Sequence, residues 1–178
     1  FSRMGLWFDL PAQGFKTTPE QPEPSRSDCH GWGAHPLDQM IWGSDADQSG
    51  LVEISGVGEI PKEGLYDTVR NWDIQGKLGN VEFSLKPGGD LTKFIGDEGW
   101  IAVSRAKVEA SQKEWLETKI EPESAQLVVS RNHAENFVSA VKSRQQAVSS
   151  MDHAVRSDVI SHLCDITVRT GRKITWDP

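Results

Sequence analysis

The 178-residue chain is 37% hydrophobic and 25% charged, with a formal net charge of −7. This is the ordinary balance of one folded domain with a core of its own. It argues against general binding to nucleic acid, which needs a basic face, and no apolar run approaches the roughly twenty residues of a membrane span.

The chain opens on core-like residues, Phe1 through Leu10, with no initiator methionine and no signal-peptide pattern. It reads as the interior of a longer protein. Pro11, Pro19, Pro22 and Pro24 then interrupt a polar run that cannot hold a helix. Residues 1–27 are therefore expected to be an extended amino-terminal segment, and residues 28–178 the folded unit. The two cysteines, Cys29 and Cys164, are too few for a disulfide framework. Cys164 falls in an apolar helical pattern and is expected to be a reduced, buried thiol, which fits a cytoplasmic compartment.

Residues 28–43 concentrate the chemistry: Asp28, Cys29, His30, Trp32, His35, Asp38 and Trp42, with Gly31 and Gly33 marking a tight turn. Ala34, Leu37, Met40 and Ile41 recur at helical spacing, so a helix is predicted from Ala34 to about Trp42. Pro36 is tolerated in its first turn, and Gly43 is a suitable C-cap. His35 and Asp38 sit one turn apart on one side of that helix. A histidine there can serve as a proton acceptor aimed at a ligand; the competing reading is a satisfied histidine at a buried turn. Asp28, Cys29, His30 and His35 carry metal-ligand atoms, but zinc sites usually repeat C-x-x-C or H-x-x-x-H pairs and the second pair is missing. Cys29 and His30 are adjacent, and adjacent side chains rarely converge as nucleophile and base. The 26 acidic residues offer so many carboxylate pairs that none stands out for glycoside hydrolysis.

Beyond the helix, Val52 and Ile54 alternate with polar neighbours and predict a strand. Gly56-Val57-Gly58 resembles the start of a dinucleotide fingerprint, but the third glycine is missing and Pro61 stands where a helix should begin. A second strand fits Asp67 to Leu78, with Trp72 and Ile74 on one face, and Gly79-Asn80 turns it into Val81–Leu85. Leu91–Ile95 and Trp100–Val103 flank the hairpin turn Gly96-Asp97-Glu98-Gly99. Asn132 then caps a helix with Glu135 at N3 and a buried stripe of Ala134, Phe137, Val138 and Val141. Asp152 caps a longer helix with Val155, Val159, Leu163 and Ile166 inward, ended by Gly171. His133, His153 and His162 on these helices read as surface or capping residues. Ile174–Pro178 reads as a short terminal strand or tail. The expected fold is α+β: an open, mainly antiparallel sheet with helices packed on one face. The other face, in a chain with seven tryptophans, must meet solvent or a partner.

Five stretches together resemble a known family. Gly31-Trp32-Gly33-Ala34-His35-Pro36-Leu37-Asp38-Gln39 with Trp42-Gly43 is similar to the D-W-G-x-H-x-x-D…W segment of the glucose–fructose oxidoreductase, inositol dehydrogenase and rhizopine-catabolism (Gfo/Idh/MocA) family. Gly58–Pro61 with Gly64-Leu65-Tyr66 resembles the strand and turn that follow. Phe94–Arg105 resembles its F-x-G-x-E-G-W-I-x-V hairpin, Asn132–Phe137 with Val141–Arg144 its H-x-x-N-F…V-K-S-R helix, and Gly171–Pro178 its G-R-K-I-x-W-D-P ending. The order is preserved over residues 28–178. The resemblance is to the carboxy-terminal domain only. No G-x-G-x-x-G follows a strand, and Pro61-Lys62-Glu63 does not match the Glu-Lys-Pro segment that carries the family's catalytic lysine.

The resemblance implies a substrate-binding and oligomerising domain of an NAD- or NADP-dependent sugar or polyol oxidoreductase, self-associating through the open sheet face. It contains no Rossmann domain and is expected to be inactive alone. His35 matches the catalytic histidine position. Asp38 and Trp32 would contact substrate, and Asp28 would supply a carboxylate that many members place where this chain has Gly31. No cofactor-binding residue and no metal ligand is expected. The alternatives are a non-catalytic binding or assembly protein on the same fold, and a relative that cleaves glycosides with a nicotinamide.

Overall fold

The computed structural model describes residues 4–10, 34–44, 52–63, 69–87, 91–119 and 130–177. Among them, eight strands form one sheet: β1 (Met4–Leu10), β2 (Val52–Glu59), β3 (Arg70–Leu78), β4 (Val81–Pro87), β5 (Leu91–Gly96), β6 (Gly99–Val103), β7 (Val108–Ala110) and β8 (Ile174–Trp176). Three helices accompany it, α1 (Ala34–Gly43), α2 (His133–Ser143) and α3 (Met151–Thr170), with a short 3₁₀ turn at Lys113–Glu117. The strand order is β7-β6-β5-β1-β4-β3-β2-β8. Every neighbouring pair is antiparallel except β1 and β4, which run parallel.

The predicted class, an open and mainly antiparallel sheet with helices on one face, is the architecture observed. The expected strands did not include Met4–Leu10. That segment sits in the middle of the sheet, with Leu6 in register with Phe83 on one side and Phe94 on the other.

Strand alternation divides the sheet into two chemically different faces. Val52, Ile54, Trp72, Ile74, Leu78, Phe83 and Leu85 point to one side and are buried there. Leu37, Met40 and Ile41 of α1 and Ile160, Leu163 and Cys164 of α3 close over them to make the core. Each fully buried large side chain of this kind contributes about 1.5–3 kcal/mol. The opposite face of β2–β4 is polar. Glu53, Lys77 and Glu82 stand side by side across three strands, Lys173 Nζ reaches Glu53 at 2.8 Å, and Lys86 Nζ reaches Asp73 at 2.8 Å.

α3 packs on a face that only partly matches the expected one: Leu163 is buried and Val159 packs against the core as predicted, but the rest of the stripe turns outward. Val155 and Ile166 are exposed, while Ser157, Ile160, Ser161, Cys164 and Thr167 are buried. Hydropathy favoured the stripe of large aliphatic residues, but small side chains let the helix settle closely on β2. There the Thr167 hydroxyl lies 3.3 Å from the Ile54 carbonyl oxygen. The helix is capped by Ser150, whose Oγ accepts from the His153 amide at 3.2 Å, rather than by Asp152. Gly171 ends it in the left-handed conformation, as expected.

α2 is a second correction. Asn132 caps it as predicted, Oδ1 accepting from the Glu135 amide at 3.2 Å. Its apolar stripe, however, is not buried: Ala134, Phe137, Val138 and Val141 are all exposed. No described element covers that face.

Candidate functional site

The predicted helix forms as α1, and Pro36, Leu37, Met40 and Ile41 sink one of its sides into the core. At about 100° per residue, this leaves His35, Asp38, Gln39 and Trp42 on the outward side, and all four are exposed. The helix lies close against the sheet at Gly43. A Cβ there would stand 2.6 Å from Phe94 Cζ, so the position excludes a side chain unless the ring moves.

His35 and Asp38 therefore share the outward side of one helix, as the sequence predicted. Trp32 and Asp28, the other two predicted contacts, lie outside the described residues, as do Cys29 and His30 of the metal alternative. Among the described residues, no group of three or more His, Cys, Asp and Glu side chains converges to hold a metal.

Two hydrogen bonds at this helix were not expected. The Ser157 hydroxyl of α3 donates to Asp38 Oδ1 at 2.9 Å. The Thr92 hydroxyl of β5 donates to Gln39 Oε1 at 2.7 Å. The outward placement of Gln39 was readable from helical periodicity. Its partner was not, and Ser157 lies 119 residues beyond Asp38, with no local signal to connect them.

Gly56-Val57-Gly58 lies within β2, with Gly56 in register with Ile74. A Cβ at Gly58 would come within 2.6 Å of Val69 and 3.0 Å of Val168, so this glycine serves close packing between the sheet and α3. The stretch does not open a helix and cannot cradle a pyrophosphate. A concavity of about 270 Å³ does open on the polar face, lined by Glu53, Ser55, Gln75, Lys77, Glu82 and Lys173 among others. No α1 residue lines it. Two carboxyls on this face are held below their usual range: Glu53 by its hydrogen bond to Lys173, and Asp73 by its hydrogen bond to Lys86. No described helix is long and apolar enough to cross a membrane.

Part of several solved oxidoreductases shares this fold. The aldose–aldose oxidoreductase of Caulobacter crescentus, solved with glycerol, matches 97% of this chain with a TM-score of 0.60 at 11% identity. The myo-inositol dehydrogenase of Corynebacterium glutamicum matches 99% with a TM-score of 0.54 at 12% identity. An NAD-binding protein from Listeria innocua matches 97% with a TM-score of 0.52 at 12% identity. The chain spans only 54%, 56% and 54% of these three structures. At such identities the likeness establishes a shared fold. The sequence matches no protein-family model and no curated protein.

Proposed function

We propose that this chain is the substrate-binding and assembly part of an NAD(P)-dependent oxidoreductase acting on a sugar or polyol, with His35 as the group that accepts a hydroxyl proton. The observation that carries this reading is the placement of His35. It stands in the first turn of a helix whose opposite side is buried, so His35 lies on the outward side of a packed support. A neutral imidazole on such a support can take the proton of an alcohol while that alcohol is oxidised. Asp38 would orient a neighbouring hydroxyl through the oxygen not engaged by Ser157. Trp32 would stack on the sugar face and Asp28 would add a carboxylate.

The glycine pair Gly56 and Gly58 lies inside β2 and so does not cradle a dinucleotide. In this reading the cofactor is held by a separate nucleotide-binding part of the whole protein. The polar face of the sheet would meet a second copy of the chain. Its alternating Glu53–Lys77–Glu82 row favours an association that weakens as salt rises.

The decisive measurement is turnover of candidate sugars and polyols by the full-length protein. His35→Ala should lower it by about 10²-fold or more, the range for lost general acid–base help. Unchanged turnover in a folded variant returns His35 to a structural role. Calorimetry on the 178-residue chain should show no micromolar binding of NAD(H) or NADP(H); such binding would overturn the division of labour proposed here. A non-catalytic assembly role is the second reading, favoured by the uncovered apolar stripe of α2. It predicts that no polyol perturbs the His35 resonances.

A further inference from the structure

We propose that Ser157 and Thr92 are positioning residues that fix the roll of α1 about its own axis, and with it the direction in which His35 points. The proposal rests on the reading of His35 as a proton acceptor, because only then does that direction have chemical use.

Apolar packing alone does not set a helix's roll finely. The burial of Leu37, Met40 and Ile41 is non-directional, and a small rotation changes the buried area little. Side chains reach about 5–6 Å from a helix axis, so a roll of about 15° moves an imidazole tip by about 1.4 Å. A misplacement of about 1 Å can cost two orders of magnitude in rate. A group asked to meet a substrate hydroxyl therefore gains from a directional restraint added to the packing of the core.

The two unexpected hydrogen bonds are such restraints. Asp38 lies about 60° to one side of His35 around the helix, and Gln39 about 40° to the other. The bond from Asp38 runs to α3 and the bond from Gln39 runs to β5. A roll in one sense strains the first, and a roll in the other strains the second. Both donors are anchored: Ser157 is 5% exposed and Thr92 is 2% exposed. A buried hydroxyl is poorly placed to exchange its acceptor for water, so each bond resists stretching. The Ser157 hydroxyl also lies 3.1 Å from the His153 carbonyl oxygen. It has one proton to give, and the charged carboxylate is the stronger acceptor.

The test follows the His35 ring by its Cε1–Hε1 and Cδ2–Hδ2 resonances in the 178-residue chain, with global stability measured in parallel by urea. Ser157→Ala, Thr92→Val and the exposed Gln39→Leu should each shift or broaden the His35 resonances, and Ser157→Thr, which keeps a hydroxyl, should leave them near the parent position. Cys164→Ala, a buried change under α3 with no bond to α1, should lower stability and leave the His35 resonances in place. Gln39→Leu keeps the test open if a buried variant fails to fold. Unmoved resonances in all three clasp variants, or an equal shift in Cys164→Ala, overturn the proposal. In the full-length protein, Ser157→Ala should lower kcat about tenfold with KM within about twofold. Turnover that depends on His35 but not on Ser157 or Thr92 removes the clasp and keeps the functional reading. Resonances that move while turnover ignores His35 keep the clasp and remove that reading.

Discussion

α1 is ten residues long and α2 eleven, and each carries an apolar stripe at helical spacing. In α1 the stripe is the floor of the core. In α2 the equivalent residues Phe137, Val138 and Val141 are 64%, 47% and 49% exposed. What holds the two helices also differs. Tertiary packing supports α1. Local devices support α2: the Asn132 cap at its start, and Arg144 in the left-handed conformation at its end. Periodicity reports which side of a helix avoids water. It does not report what will cover that side, because the cover belongs to another element.

The comparison can be broken most directly by stability measurements. Leu37→Ala should cost about 2–5 kcal/mol, the range for emptying a buried leucine site, read from urea denaturation. Phe137→Ala in the same chain should stay within about 0.5 kcal/mol, as exposed substitutions do. Equal losses would mean that α2 is buried in solution and that the contrast is false. A smaller effect sharpens the contrast from the other side. Asn132→Ala should cost about 1 kcal/mol and act locally, raising amide exchange in α2 while β2–β4 stay protected.

The smallest effect concerns the polar face. Glu53 and Asp73 have depressed carboxyl values in the folded state, so the unfolded chain binds more protons than the folded one as pH falls. The stability they contribute is present above the ordinary carboxylate range and is lost as pH drops through their lowered folded values. Acid denaturation curves should show this, and Lys173→Met and Lys86→Met should flatten the acid limb. Both pairs are solvent-accessible, so the change should be slight. An acid limb unaltered by either variant would mean that the pairs contribute nothing in solution.

What was legible in the sequence was local. The β3–β4 and β5–β6 hairpins, the start of α1, the Asn132 cap and the Gly171 stop all declare themselves within a few residues, through turn chemistry and orphan backbone groups. What stayed hidden was decided at a distance or by small side chains. The inward face of α3 joins Ile160, Leu163 and Cys164 to Ser157, Ser161 and Thr167, and hydropathy does not flag those three hydroxyl side chains. The site was half legible for the same reason. His35 and Asp38 share a helix turn, so their juxtaposition follows from spacing. The hydroxyls of Ser157 and Thr92 come from elements that only the fold brings near.

The position of β1 also has a consequence for how the chain assembles. The β3–β4 and β5–β6 hairpins can each close from neighbouring residues soon after synthesis. In the finished sheet they are joined by β1, which lies between β4 and β5. Among the described residues, the strand partners of residues 4–10 lie within residues 81–95. Contacts of such long sequence separation make folding slow. Without β1 in place the facing edges of β4 and β5 would lie open to pairing with another chain, so the integrity of the sheet depends on that one strand.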